Sequence, residues 1–154
     1  MLTAASETLR LSGIEQDINA SSRYVAVRPR VRILDRGTHG DEIRRLTATP
    51  DVVVGSVAAV AEDGTLVVAS ATGSQLPAYA GGAGRLILIV GAQKIVPDLN
   101  AALRRVETYA LPLEDVRARS VYGQPSAINK MLIIKAEPFV GRTTILLLRQ
   151  AIGF

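Results

Sequence analysis

The chain contains no cysteine, no tryptophan, a single histidine and few aromatic residues of any kind. Without thiols, disulfide frameworks, thiolate nucleophiles and cysteine-ligated zinc or iron–sulfur centres are excluded. The lone His39 cannot by itself assemble a histidine-rich metal site, so neither a metal nor a cofactor is expected. Also lacking is any apolar run approaching the ~20 residues that a helix needs to cross a bilayer. The N-terminus shows no basic segment followed by a signal-like apolar stretch. The expectation is a cytoplasmic protein without membrane association. A dense basic stripe interleaved with aromatics is missing as well: Arg23, Arg28, Arg30, Arg32 and Arg36 have only Tyr24 near them. Nucleic-acid binding is not expected from so sparse a pattern. A solvated arginine-rich loop, or a subunit interface where arginine pairs with carboxylates, accounts for it equally well.

What the chain does have is aliphatic material. Of its 154 residues 48% are apolar, dominated by Val, Ile, Leu and Ala, and the net charge is only +4. That length suits one domain covering 1–154, with ample side chains for a packed core. Small aliphatics fill sheet–helix layers better than they build aromatic-walled ligand cages.

The centre is the most informative region. Val52-Val53-Val54-Gly55 reads as a short buried strand, and Glu62-Asp63-Gly64-Thr65 as a tight turn joining the apolar stretches 57–61 and 66–69. Neither stretch alternates apolar with polar, so both of their faces should be covered. Ser70 to Gly84 is rich in Ser, Thr and Gly, with a short helix expected around Gln75 to Ala80; Leu86 to Val90 is an unbroken apolar strand ending at Gly91. Asp98 caps a helix whose Leu99, Ala102, Leu103, Val106 and Ala110 recur at helical spacing. Pro112 is expected to break that helix, with Glu114 and Asp115 opening the next one and Gly123 ending it.

The ends are less regular. Met1-Leu2-Thr3 resembles the tail of a strand, too short to stand alone, so either the strand is vestigial or sequence precedes it. Leu9, Leu11 and Ile14 supply the apolar side of a short helical region, whereas Ser21 to Arg36, containing Pro29, reads as an irregular extended connection. Thr38 is expected to cap a helix with Asp41 three residues later, Ile43 and Leu46 facing inward and Pro50 stopping it. Met131 to Ala136 and Thr143 to Leu148 are two more apolar strands, spaced for a C-terminal antiparallel hairpin. Strands alternating with helices predict an α/β fold: a three-layer α/β/α arrangement with a mainly parallel sheet.

Three stretches, in order and at matching spacing, resemble the lactate-utilisation (LUD) domain family. They are the hairpin Ala61-Glu62-Asp63-Gly64-Thr65-Leu66-Val67 with its following loop Ala69-Ser70-Ala71-Thr72-Gly73-Ser74, the strand exit Val90-Gly91-Ala92-Gln93-Lys94-Ile95-Val96-Pro97, and the tail Ser126-Ala127-Ile128-Asn129-Lys130 leading to Gly141-Arg142-Thr143-Thr144. The resemblance covers the chain from Thr3 onward. It implies the fold shared by ribose-5-phosphate isomerase, glucosamine-6-phosphate deaminase and coenzyme A transferases. Family members carry further helices and a strand ahead of the point where this sequence starts, so one sheet edge is expected to be open and a homo-oligomer to cover it.

In open α/β sheets, ligands sit beyond the carboxyl ends of the strands. Gly55, Ser56, Ser70, Thr72, Gly73, Ser74 and Lys94 fall at that edge on the layout above. The hydroxyls and N–H groups of the Ser70–Ser74 loop, with the compact charge of Lys94, suit a small anionic metabolite. The alternative is that Gly73 permits a turn and the hydroxyls cap a helix. Asn129 and Lys130 precede a strand and are candidates for the same cleft.

For catalysis the candidates are Glu62, Asp63 and His39. Turn carboxylates are usually solvated, and His39 beside a helix start suits a surface or interface position. Related sugar-phosphate enzymes place an acid just after the strand-ending glycine, and many LUD domains have an aspartate there; here Gly55 is followed by Ser56 and Val57. Gly81-Gly82-Ala83-Gly84 lacks the Lys-Ser/Thr ending of a phosphate loop.

Three functions stay open, and with them whether the protein is an enzyme. One is a metabolite-binding domain in lactate or related organic-acid utilisation. Another is a non-catalytic assembly subunit with oxidoreductase partner proteins. The third, a sugar-phosphate or coenzyme A-dependent enzyme, rests on fold analogy alone.

Overall fold

A computed structural model describes all 154 residues. Eight strands run in chain order as β1 (Leu2–Thr3), β2 (Val52–Gly55), β3 (Ala59–Ala61), β4 (Leu66–Ser70), β5 (Arg85–Gly91), β6 (Ile95–Val96), β7 (Lys130–Ile134) and β8 (Thr143–Leu148). Six helices accompany them: α1 (Glu7–Leu11), α2 (Ile14–Ala20), α3 (Val27–Ile33), α4 (Gly40–Ala48), α5 (Leu99–Arg105) and α6 (Leu111–Tyr122). The strands form two four-stranded sheets. One is wholly parallel in the order β1-β2-β5-β8. The other is mixed in the order β6-β3-β4-β7.

The fold is α/β with β structure between helical layers, and the side-chain parity of each strand shows how. In β2 and β5, Val53, Leu86, Leu88 and Val90 point toward the mixed sheet, where they meet Leu66 and Val68 of β4 and Leu132 and Ile134 of β7. The alternate residues, Val54 and Ile89, point the other way and pack on Leu9 of α1 and Ile18 of α2. On the far side of the mixed sheet, Ala59 and Val67 pack on Ala102 of α5 and on Val106. The β layer is therefore double, each sheet burying one face on the other sheet and one on helices. That is why these strands read as continuous apolar runs rather than alternating ones.

The hairpin expected at Asp63-Gly64 forms: β3 and β4 pair antiparallel, Gly64 has φ of 89°, and Asp63 accepts the Thr65 N–H at 2.8 Å. Asp98 caps α5 by accepting the Ala101 N–H at 2.7 Å, and Gly123 ends α6 in the left-handed conformation.

Four expectations are corrected. The C-terminal hairpin does not form: β7 joins β4 in the mixed sheet, and β8 joins β5 in the parallel one. Arg142 directs the crossing. Its guanidinium pairs with Glu137 and donates to the carbonyls of Ala78, Tyr79 and Ala83 at 3.0–3.2 Å. The Arg142 carbonyl then accepts the Leu86 N–H, setting β8 beside β5. The stretch read as extended contains α3, with Pro29 as its third residue, where a missing N–H costs no intrahelical bond. Pro112 does not break the helical run. A π turn over Val106–Ala110, closed by the Leu111 N–H on the Val106 carbonyl, absorbs the proline without a gap. At α4 the cap position is His39 rather than Thr38, and no side chain caps the helix. No helix is long and apolar enough to cross a membrane.

Candidate functional site

β2 and β5 are parallel neighbours, so the chain leaves both at the same sheet edge. Ser56 is the first residue beyond β2, and Lys94 closes the single 3-10 turn Ala92–Lys94 that follows β5. The loop after β4, Ser70–Ser74, reaches the same region. A cavity of about 500 Å³ opens there, with Ser56, Ser70, Thr72, Ser74 and Lys94 in its wall. The residues named from sequence are thus brought together, apart from the two glycines.

The glycines stand behind that wall. A methyl group at Gly55 would overlap the Tyr79 hydroxyl and ring, and Tyr79 is itself fully buried, donating its hydroxyl to the Ser56 carbonyl at 3.4 Å. Burial pushes the Tyr79 phenol above its ordinary range, with the Ser56 bond acting in the opposite sense. Gly73 has φ of 80°, and its open α-carbon rests against the Lys130 side chain. Its N–H donates to Ser70 Oγ at 2.8 Å, and Ser70 in turn donates to Gln75 Oε1 at 3.0 Å. Asn129 and Lys130 hold this loop from behind, donating to the carbonyls of Ala71 and Thr72 at 3.1 and 2.9 Å.

Lys94 departs most from what its sequence position conveys. It is 1% exposed, and no carboxylate faces it. Nζ sits among three neutral oxygens: Thr8 Oγ1 at 3.0 Å, Ser56 Oγ at 3.1 Å and the Val57 carbonyl at 3.0 Å. Burial, and then the nearby Arg105 charge, lower its pKa from 10.5 to about 7. Arg105 is itself held below its usual value by desolvation; it donates to the carbonyls of Ala58 at 2.6 Å and Gln93 at 3.3 Å, leaving Nη2 unpartnered.

The cavity's other charges fall into two sets. Glu7 is engaged by Arg10, and Glu114 by Arg117 through two bonds of 2.6 and 2.7 Å. Those contacts lower the Glu7 pKa and raise that of Arg117. Arg36 has neither a hydrogen bond nor a carboxylate partner, unlike Arg23, Arg28 and Arg30, which pair with Asp17, Glu15 and Glu42. Positive charge at the cavity is therefore incompletely compensated.

The proposed acid–base candidates lie elsewhere. Glu62 and Asp63 belong to the β3–β4 turn, and neither borders the cavity; the Thr65 N–H lowers the Asp63 pKa. His39 is exposed, 2.8 Å from Thr38 Oγ1. No three His, Asp or Glu side chains converge as a metal site would need. Sequence reasoning missed Thr8, Arg36 and Arg105. Arg36 was visible only as one of a run of arginines, and Thr8 carried no signal at all.

A family model of the LUD domain matches residues 5–136. The chain belongs to the LUD domain family. No curated protein and no solved structure matches it. Within this LUD domain the matched span holds Ser56, Lys94, Arg36 and the whole Ser70–Ser74 loop, while β8 lies outside it.

Proposed function

We propose that this LUD domain binds a small anionic metabolite, of the organic-acid class its family connects with lactate utilisation, in the cavity beyond the ends of β2, β4 and β5. The observation that carries this reading is the unpaired Arg36 guanidinium bordering the same cavity as Lys94 and the Ser70–Ser74 loop. Arginine presents a planar fork suited to a carboxylate or phosphate, and hydroxyl-bearing loops supply further donors. The volume of about 500 Å³ is in the range of small-molecule sites. The ligand-binding roles of Gly55 and Gly73 are indirect here: both hold the wall in place.

Thermal-shift measurements with lactate, pyruvate, sugar phosphates and acyl-coenzyme A test the reading. A ligand at ten times its Kd adds about 1.4 kcal/mol of stability, enough to move the melting temperature by several degrees. Arg36→Gln is expected to abolish that shift while leaving the unliganded melting temperature in place. No shift with any of these compounds at millimolar concentration would remove the proposal.

The protein is further proposed to act as a homo-oligomer in the cytoplasm. A second reading, an assembly subunit for an oxidoreductase system, draws on the apolar outer strand β8, where Leu146 and Leu147 are half exposed. Co-purification of an oxidoreductase from the native host would favour that reading; recovery of this chain alone would count against it. A sugar-phosphate or coenzyme A-dependent enzyme remains a fold analogy.

A further inference from the structure

A buried amine without a carboxylate partner is costly as an ammonium ion, and a neighbouring arginine adds repulsion. As a neutral amine, Lys94 has two N–H donors and one lone pair. The Val57 carbonyl can take only a donated hydrogen. One of the two hydroxyls, Thr8 or Ser56, must then donate to the lone pair. Both hydroxyls have a further acceptor within 3.4 Å, Thr8 Oγ1 in the Ile152 carbonyl, and what separates them is that Thr8 does not border the cavity. Ser56 borders it, and its other acceptors, Thr8 Oγ1 and the Val57 carbonyl, are at 3.3 and 3.4 Å. Ser56 is thus the one hydroxyl that meets both the amine and the space where a ligand would sit. A methionine in place of Lys94 would fill the same volume without the burial cost, so packing alone does not account for an amine here.

We infer that Ser56 and Lys94 form a nucleophile–base pair for acyl transfer, acting on an ester or thioester of a small organic acid that keeps a second anionic group, a carboxylate or a phosphate, for Arg36. Ser56 Oγ adds to the acyl carbon as its proton passes to Lys94 Nζ. The tetrahedral adduct collapses with cleavage of the C–O or C–S bond, and Lys94 returns the proton to the departing alcohol or thiol. An acyl ester remains on Ser56. Water then adds to that ester, giving its proton to Lys94; the ester C–O bond breaks, Ser56 recovers the proton, and the carboxylic acid is released. Serine–lysine pairs follow the same logic as serine–histidine ones: a weak nucleophile gains an adjacent base that is unprotonated near neutral pH. The substrate class rests on the anionic-ligand reading above, through Arg36; the pairing of Ser56 with Lys94 does not.

The test is labelling of the full chain with an alkyl fluorophosphonate, followed by intact mass and peptide mapping. A single adduct at Ser56 is expected. Because the base is the amine, the labelling rate should rise about tenfold from pH 6 to pH 8 and then level off. Ser56→Ala should stay unlabelled while keeping the folded far-ultraviolet circular dichroism of the wild type, and Lys94→Met should be labelled about a hundredfold more slowly. If Lys94→Met does not fold, the wild-type pH profile alone decides the role of the amine. No adduct, an adduct at another serine, or a rate that climbs tenfold per pH unit without levelling overturns the pairing. Labelling at Ser56 without any thermal shift from organic acids would sink the ligand reading instead, and thermal shifts without labelling would leave that reading standing while removing this one.

Discussion

Lys94 couples the site to the stability of the fold. Its pKa falls from 10.5 to about 7 on folding, first through burial and then through Arg105. Between those values the unfolded chain holds a proton that the folded chain has released. Stability therefore rises with pH from about 7 upward, and below pH 7 the folded state carries the full cost of a buried ammonium. The other charged groups around the cavity do not reproduce this slope. Glu7 is held below the usual carboxylate range by Arg10, Arg117 is held above its own by Glu114, and Tyr79, with its raised pKa, acts only at higher pH and in the opposite sense. Urea denaturation of the wild type is expected to show a midpoint that climbs between pH 7 and 9.5. In Lys94→Met the midpoint should be flat over that interval; an equal climb in both proteins would mean that another group carries the linkage.

At the scale of elements, the same short signals that can be read in the chain also hold the helices in register. Asp98 accepts the Ala101 N–H and thereby starts α5, whose Ala102 is packed against Ala59 and Val67 of the mixed sheet. Asp98→Ala should cost about 1 kcal/mol, measured by chemical denaturation, with Asp98→Asn retaining most of it. This cap, the Asp63-Gly64 turn and the Gly123 terminator were legible because each depends on a side chain and its immediate backbone. The helical run through Pro112 was not. Local rules place a break there, and the π turn that avoids it is stabilised by packing of Val106 against Ala59 and Val67, which only the assembled sheet provides. The partners of β7 and β8 were hidden for a similar reason. Two apolar strands separated by a short loop pair with each other unless something draws them apart, and here Arg142 reaches carbonyls more than fifty residues earlier in the chain. The candidate site shows the same division. The parallel neighbours β2 and β5 carry Ser56 and Lys94 to one edge and β4 of the mixed sheet delivers the Ser70–Ser74 loop to it, whereas the burial of Lys94 and its uncharged surroundings depend on Thr8 and Arg105, which only tertiary packing supplies.

At the scale of the whole molecule, the two edges of the parallel sheet differ. Beside β1, the Met1 amino group donates to the Val25 carbonyl at 2.7 Å and the Met1 carbonyl accepts the Val27 N–H at 2.9 Å, so residues 25–27 cover that side. The open edge is the opposite one. β8 pairs only with β5, and its Ile145, Leu146 and Leu147 are 37%, 49% and 57% exposed. An outer strand of six residues with apolar side chains on both faces is a template for strand addition. A second copy related by a two-fold axis would place β8 antiparallel to β8 and extend the sheet to eight strands. The segment Thr143-Thr144-Ile145-Leu146-Leu147-Leu148 contains no charge, so no like charges would face each other across that pairing. Light scattering at micromolar concentration should give twice the 16.4 kDa mass of the chain, and Leu146→Lys should return it to the monomer with the far-ultraviolet circular dichroism unchanged. A wild-type monomer would leave β8 to a different partner, and a dimer that survives Leu146→Lys would move the interface to another surface.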